Sequence, residues 1–466
     1  MKSAAYNQDT IVAIATPAGS GAISVIRLSG SNSLTLCMNH FEPSNKGLTI
    51  KNIESSKLYL GSFVDGDQII DEVLLSYFKS PASYTTEDII EISCHGSEYI
   101  QQKIIEILII AGARAADPGE FTLRAFLNGR IDLSQAEAVA DLIASQSDSS
   151  HRIALDQMRG GISDKISVLR KKLIDFTSLI ELELDFSEED VEFANREQFN
   201  SLISELQEEL NLLIDSFSMG NVIKQGIPVT IIGKPNVGKS TLLNAILNEE
   251  KAIVSHVPGT TRDAIEDSII IDGYRFRFID TAGLRPSDDI VESIGIERTY
   301  DKIKQATIIL YVCDIGNISN QSVEKVLDEF RHYIQDDTKH FVFVANKIDQ
   351  LSKLPSHIKE ILELDTVFVS AKRKENINLL TDILVNIVKE YNISNDIIIS
   401  NSRHYQALLA ANNAMKQVEE GFKNNVPTDL IAIDIRQALH ELGTITGEIT
   451  TDEVLGNIFG KFCIGK

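Results

Sequence analysis

The run PVTIIGKPNVGKSTLLNAIL (228–247) reads as a strand, a loop and a helix, with Gly233 and Gly238 at the two bends of the loop. Glycine there lets backbone wrap around an anion, while the new helix aims its first N–H groups at the same point. G-x-x-x-x-G-K-S in that setting is a phosphate-binding loop. Lys239 is expected to reach the β- and γ-phosphates and Ser240 to ligate Mg²⁺, with Val237 and Thr241 flanking them. The spacing selects a polyphosphate.

Later segments say which one. RFRFIDTAG is a strand ending in Asp280, Thr281, Ala282 and Gly283. A carboxylate there holds Mg²⁺ through water, and Gly283 leaves its N–H for a γ-phosphate. PGTTRD (258–263) lies between the two and offers Thr261 as a further Mg²⁺ ligand. HFVFVANK then delivers Asn346, Lys347 and Asp349. The Asp349 carboxylate can accept from both N1–H and the 2-amino group of guanine. Adenine lacks that donor pair and would leave the acid unpaired, which is how hydrogen-bond selection becomes strong. TVFVSAK (366–372) adds Ser370 and the backbone of Ala371 for the guanine oxygen. The phosphate loop, DTAG, NKID and SAK, in this order, specify GTP and resemble the translation-factor branch of P-loop GTPases.

The hydrolytic group is less direct. Ras-like GTPases carry a water-positioning Gln after DTAG, whereas this chain has Leu284, which cannot orient water. Asp288, Asp289 and Glu292 are the candidates that follow it. Arg262, Arg275 and Arg285 are nearby, but none is identifiable as an arginine finger. Asn236, inside the phosphate loop, has a side-chain oxygen suited to hold a monovalent cation against the phosphates and supply the missing positive charge.

Strands and helices alternate over 222–384, as a doubly covered α/β domain requires. Before it, 1–124 carries short β-rich runs (TIVAIAT, AISVIRLSG, EVLLSYF, DIIEISC) and one helical stretch, YIQQKIIEILIIAG, and reads as an α+β domain. From 125 to 221 the pattern is helical. Leu155, Met158, Ile162, Ile166, Leu169, Leu173, Phe176 and Ile180 form one stripe at spacings of three and four, predicting a single long amphipathic helix. The chain is helical again over 385–466, so the α/β domain is expected to be inserted into a discontinuous helical domain. The acidic ELELDFSEEDVEF (181–193) reads as a solvated connection.

Composition narrows the setting. A formal net charge of −23 argues against a general nucleic-acid binder, though a local basic patch or a partner can still hold RNA. No apolar run is long enough to span a bilayer, and the N-terminus lacks a secretory core, so a cytoplasmic location is expected. Cys37, Cys94, Cys313 and Cys463 are widely separated and show no metal or disulfide spacing; the first three read as core residues. CIGK at the end is a poor prenylation box.

Segments outside the nucleotide motifs carry a closer likeness. DTIVAIATPAGSGAISVIRLSG, PGEFTLRAFLNGRIDLSQAEAVADLI, IVSHVPGTTRD, DTAGLRPSDDIVESIGIERT and the terminal GEITTDEVLGNIFGKFCIGK together resemble the bacterial tRNA-modification GTPase family MnmE (TrmE) over essentially the whole chain. The resemblance implies a homodimer joined through N-terminal domains that bind a tetrahydrofolate (5-formyl or methylene form). It also implies an FAD-dependent MnmG-type partner in a heterotetramer or larger complex. Together they install a (carboxymethyl)aminomethyl group on carbon 5 of the tRNA wobble uridine, with GTP hydrolysis activated by K⁺. Carried over by position, the K⁺ ligands are Asn236, Ser255, Val257 and Thr260, the Mg²⁺ ligands Ser240 and Thr261, and the water-orienting acid Glu292. Folate contacts are Arg27, Glu91, Arg130 and Lys466, and Cys463 is either a reactive thiol near the folate or a structural thiol at the dimer centre. Two positions depart from the family: His95-Gly96-Ser97 replaces the usual HGG, and Arg130 stands where Lys also occurs. A ribosome-assembly GTPase is the alternative; a membrane-remodelling GTPase finds no lipid-binding segment to support it.

Overall fold

The computed structural model describes residues 9–185, 196–249, 252–254, 267–279, 295–317, 320–336, 338–351, 366–391, 397–424 and 426–465. The chain divides into two compact units, one of Met1–Ile143, Gln157–Phe199 and Ala414–Lys466, the other of Ala144–Asp156 and Asn200–Asn413.

In the first unit seven strands form a mixed sheet: β1 (Ile11–Ile14), β2 (Ile23–Ser29), β3 (Phe41–Pro43), β4 (Leu58–Asp65), β5 (Gln68–Phe78), β6 (Ile89–His95) and β7 (Arg114–Ala115), in the order β3-β4-β5-β6-β2-β1-β7. The four β-rich runs of the sequence are β1, β2, β5 and β6. The strand period of two sends Ile26, Leu28, Val73, Leu75, Ile90 and Ile92 to one face, where they pack with Ile104, Ile107 and Leu108 of the helix Glu98–Ile110. Leu60, Leu74, Ser93 and Val25 are cross-strand partners on the opposite face, as are Arg27 and Glu91 one row away.

The stripe from Leu155 to Ile180 is not one helix. It breaks into Asp148–Met158 and Gly161–Asp185, with Gly160 between them in the left-handed region (φ +100°). The apolar spacing runs on through the break because the two turn residues, Arg159 and Gly160, leave Met158 and Ile162 four positions apart. Ile162, Ile166, Leu169, Leu173, Phe176 and Ile180 are buried, whereas Leu155 and Met158 are only half-buried. The longer helix packs against Thr428–Thr446, which buries Ile431, Ile435, Ala438 and Leu442.

The second unit is built on β8 (Ile227–Ile232), β9 (Ala252–Val254), β10 (Asp267–Ile271), β11 (Tyr274–Phe278), β12 (Ile308–Asp314), β13 (His340–Asn346) and β14 (Thr366–Phe368), ordered β14-β13-β12-β8-β11-β10-β9. The β8, β11, β12, β13 and β14 pairings are parallel and the β9–β10–β11 edge is antiparallel. β8, β12 and β13 are almost continuously apolar because helices cover both faces. Lys239–Leu247 and Ile377–Tyr391 bury Leu242, Ile246, Leu380 and Leu384 on one side; Gly295–Gln305 and Asn320–Ile334 bury Ile303, Val323 and Phe330 on the other. Parallel strands of this kind open their C-terminal ends to a ligand.

Candidate functional site

The phosphate loop leaves β8 at that end. Gly233 adopts φ +141° and a side chain there would fall on the Val312 carbonyl; Gly238 adopts φ +99° and a side chain would fall on the Asn346 amide. Both positions therefore exclude a Cβ twice over, by dihedral and by space. Asn236 is also left-handed, at φ +62°. Lys239, the first residue of its helix, donates to the Gly233 carbonyl at 2.9 Å and the Lys234 carbonyl at 2.8 Å. Burial, with the Lys302 charge added, holds its pKa below the ordinary lysine value, so phosphate charge would meet an ammonium already drawn out of water.

The residues expected to read the base come from β13 and the turns after β13 and β14. Asn346 is buried; its side-chain amide donates to the Val237 carbonyl at 2.8 Å and accepts from the Ala371 N–H at 3.0 Å. Ser370 donates to Asp349 at 2.7 Å, and that hydrogen bond holds the carboxylate below the usual range, in the ionised form a guanine edge needs. Lys347 is left-handed (φ +68°) and donates to the Asn236 carbonyl at 2.8 Å and to Asp314 at 2.9 Å. Asn236, Val237, Gly238, Lys239, Asn346, Lys347, Asp349, Ser370 and Ala371 are thus brought together, with Ser240 and Thr241 in the first helical turn. Ser255, Val257, Thr260, Thr261, Asp280, Thr281, Ala282, Gly283 and Glu292 lie outside the described residues.

Sequence reading missed Asp314. It ends β12 opposite Asn346 in the parallel register. Its signal was a carboxylate closing an apolar run, IILYVCD, the same pattern that drew attention to Asp280.

Two sequence profiles match the chain: one described as the GTP-binding protein TrmE N-terminus over residues 10–130, and one described as the MnmE helical domain over 133–463. A tRNA modification GTPase MnmE of Flavobacterium psychrophilum is 52% identical across 98% of this chain and 99% of its own length. That of Bacteroides fragilis is 49% identical across 99% of this chain and all of its own. The chain belongs to the MnmE family of tRNA modification GTPases. Among solved structures, the G domain of the T. maritima FeoB iron transporter aligns at 25% identity over 36% of this chain and 98% of that one, with a TM-score of 0.25.

The second cluster of interest in this MnmE-family chain lies in the first unit. Arg27 and Glu91, paired across β2 and β6, form an ion pair, with Nε donating at 2.8 Å and the second guanidinium nitrogen at 2.7 Å to the same carboxylate oxygen. The guanidinium also lies over the rings of Tyr84 (5.8 Å) and Phe121 (5.7 Å). The two residues expected to contact folate separately are therefore already bonded to each other. Arg130 donates to the Ser83 carbonyl, next to Tyr84.

The loop carrying Tyr84 is held by a buried charge network that sequence reading did not find. Arg124, on the helix Glu120–Leu127, is 1% exposed and bonds Glu120, Glu87 and Asp9. Burial works against its charge, yet Glu87 and Glu120 beside it raise the guanidinium pKa. Asn128 donates to the Thr85 carbonyl at 2.7 Å, and Thr85 shares a 2.6 Å hydroxyl bond with Ser29.

The C-terminal tail reaches the same unit. Gly119 donates weakly to the Cys463 carbonyl at 3.4 Å, and Phe459 packs on Phe126. Gly465 (φ +94°) lies so close to the Ile14 carbonyl that a side chain would fall on it. Cys463 itself is exposed in the single chain, while Cys37, Cys94 and Cys313 are buried. Lys466 lies outside the described residues, one position beyond this docked glycine.

Proposed function

We propose that this chain hydrolyses GTP in a K⁺- and Mg²⁺-dependent manner and, in the cytoplasm, drives modification of the tRNA wobble uridine. In that reading it acts as a homodimer with an FAD-dependent partner and a tetrahydrofolate one-carbon donor. The observation that carries the nucleotide part is the Asn346 bracket: one buried amide joins the phosphate loop at Val237 to the guanine-binding turn at Ala371. The proposed modules are 1–124 for folate and dimerisation, 125–221 with 385–466 for the helical domain, and 222–384 for GTP.

The residues suit the groups assigned to them. Ser240 stands one position after Lys239, at the start of a helix whose N–H groups favour anions, and with Thr261 and Asp280 would hold Mg²⁺. Asn236 is exposed on the loop and, with Ser255, Val257 and Thr260, would hold K⁺. Bound beside the phosphates, the two cations neutralise charge that builds up as the γ-phosphoryl leaves. The chain's own contribution is position. Gly233 and Gly238 shape the loop, Lys239 meets the phosphates, Asp349 and Ala371 fix the base, and Glu292 orients the attacking water.

In the first unit the Arg27–Glu91 pair on an aromatic wall suits a pterin, whose amino and oxo edge can pair with both partners. Arg130 and Lys466 are suited to the glutamate carboxylates of the folate. Leu58, Leu60, Leu74 and Ile23 are exposed on β2, β4 and β5, an apolar surface consistent with a dimer contact. Cys463, in the tail beside Gly119, is an exposed thiol.

Nucleoside mass spectrometry on tRNA from cells lacking the chain tests the whole reading. The wobble-uridine side chain is expected to vanish, and wild type but not Glu292→Ala to restore it. Unchanged tRNA in the deleted cells would overturn the proposal and favour a ribosome-assembly GTPase.

A further inference from the structure

A carboxylate at the edge of a phosphate site needs a reason, because it repels the ligand. Asp314 is such a group. It closes β12, faces Asn346 across the parallel register, and is mostly buried. Its carboxylate is fixed on several sides: Oδ1 accepts the Gly316 N–H at 3.1 Å, and Oδ2 accepts from the Asn317 amide at 3.0 Å and from Lys347 at 2.9 Å. The short 3₁₀ turn Ile315–Asn317 supplies two of those donors, so the acid is a rigid post rather than a mobile side chain.

Lys347 is the only one of the three donors that leads elsewhere. Its ammonium also donates to the backbone carbonyl of Asn236 at 2.8 Å. Asn236 holds the left-handed conformation, which asparagine adopts more readily than other residues with a Cβ and which a fixed carbonyl helps to keep. The Asp314–Lys347–Asn236 chain pins that carbonyl, on the residue whose side chain is assigned to the monovalent cation.

We propose that Asp314 is a positioning residue for the monovalent cation, acting through Lys347 to fix the phosphate-loop backbone at Asn236. The inference rests on the K⁺ reading of Asn236 given above. Without Asp314, the Lys347 ammonium keeps the Asn236 carbonyl as acceptor but loses the anchor that sets its position. Asn236 is then free to relax from the left-handed region, and the cation must order the loop as it binds. Cation affinity falls while the cation's chemistry is unchanged.

The test uses the full-length chain and reads binding as well as turnover. Fluorescent N-methylanthraniloyl-GDP with aluminium fluoride is titrated with KCl at constant ionic strength, alongside GTP hydrolysis at saturating GTP. Asp314→Asn keeps the size, leaves one acceptor oxygen where the carboxylate had two, and removes the charge that holds Lys347. Its half-saturating K⁺ concentration is expected to rise about five-fold or more in both measurements, with the rate at saturating K⁺ largely recovered. Asp314→Glu, which retains the charge, is expected to recover part of the shift. Lys347→Met is expected to show the same direction of change, and adding Asp314→Asn to it to change K⁺ dependence no further, as a pair acting in series requires. If Asp314→Asn leaves half-saturating K⁺ unchanged in a wild-type-like thermal transition, the positioning role is overturned. An additive double variant overturns the route through Lys347. If the wild type itself shows no preference for K⁺ over Na⁺, it is the K⁺ reading of Asn236 that fails.

Discussion

The side-chain amide of Asn346 donates to the Val237 carbonyl at 2.8 Å, so the strand that carries the proposed base-reading residues is bonded to the proposed phosphate loop. The same side chain accepts from the Ala371 N–H, which places three separate segments around one buried group. A nucleotide-binding site held together in this way is assembled before its ligand arrives, and its weak points can be named.

Asn346→Ala leaves a buried carbonyl and a buried N–H without their partner. The expected cost is about 1–3 kcal/mol of stability in the second unit, from polar groups left unpaired. N-methylanthraniloyl-GDP affinity should fall about ten-fold or more in a fluorescence titration, since both halves of the site lose their shared reference. Unchanged affinity would show that the bracket holds nothing the nucleotide uses.

Asp349→Asn replaces two acceptor sites with one acceptor and one donor. Guanine then faces its 2-amino group against an N–H, whereas xanthine, with an oxygen there, is matched. GTP hydrolysis at low substrate should drop about 100-fold or more, and xanthosine triphosphate should become the better substrate. Competition between the two triphosphates measures it; a variant still preferring GTP would remove Asp349 from the base-reading role.

Arg124→Met removes a buried guanidinium from Glu120, which is fully buried and keeps Arg114 as its other cation, and from Glu87. Complete loss of a buried partner costs about 3–5 kcal/mol, and the retained Arg114 should bring the cost here below that. Calorimetry of the full chain should show one transition moving down and the nucleotide-stabilised transition unmoved. A shift confined to the latter would contradict the assignment of Arg124 to the first unit.

These three positions differ in how far the sequence announced them. Asn346 and Asp349 sit in a short segment whose chemistry is local, because one strand end and its turn carry both side chains to the same site. Arg124 looked like one more charge on an amphipathic helix. Its partners Asp9 and Glu87 are far away in the chain, and only sheet topology brings them to it. Asp314 is intermediate: its place at a strand end was visible, but its bond to Lys347 depends on β12 and β13 being neighbours. The break at Gly160 was hidden because the apolar spacing of three and four continues through it. Local chemistry and period were legible; cross-chain pairing was not.

Asp9 gives the first unit a pH signature. Burial pushes its pKa up, but Arg114 and Arg124 outweigh that, and the folded value lies below the unfolded one. Stability from this group is therefore complete above the unfolded value of about 3.9 and is lost as pH falls through the lower folded value. Asp9→Asn should be less stable than wild type at neutral pH, with the difference closing below about pH 4. Urea midpoints across that range test it, and a difference that widened toward acid would refute the sign.

Gly465→Ala places a methyl group against the Ile14 carbonyl at a left-handed position. The tail should undock, and binding of 5-formyltetrahydrofolate, followed by calorimetric titration, should weaken about ten-fold or more while N-methylanthraniloyl-GDP affinity stays put. Equal folate binding in the variant would separate the tail from that site.

The docked tail also orders events in time. A ribosome releases β1 and Gly119 long before it makes residues 459–465, so the contacts of Ile14 and Gly119 with the tail wait through synthesis of the intervening chain. A product truncated after residue 450 would carry every described residue of the nucleotide site yet leave that seam unfilled. Such a fragment would keep the described nucleotide residues and lack the Gly465–Ile14 and Gly119–Phe459 contacts, so losing the tail would be felt in the first unit alone.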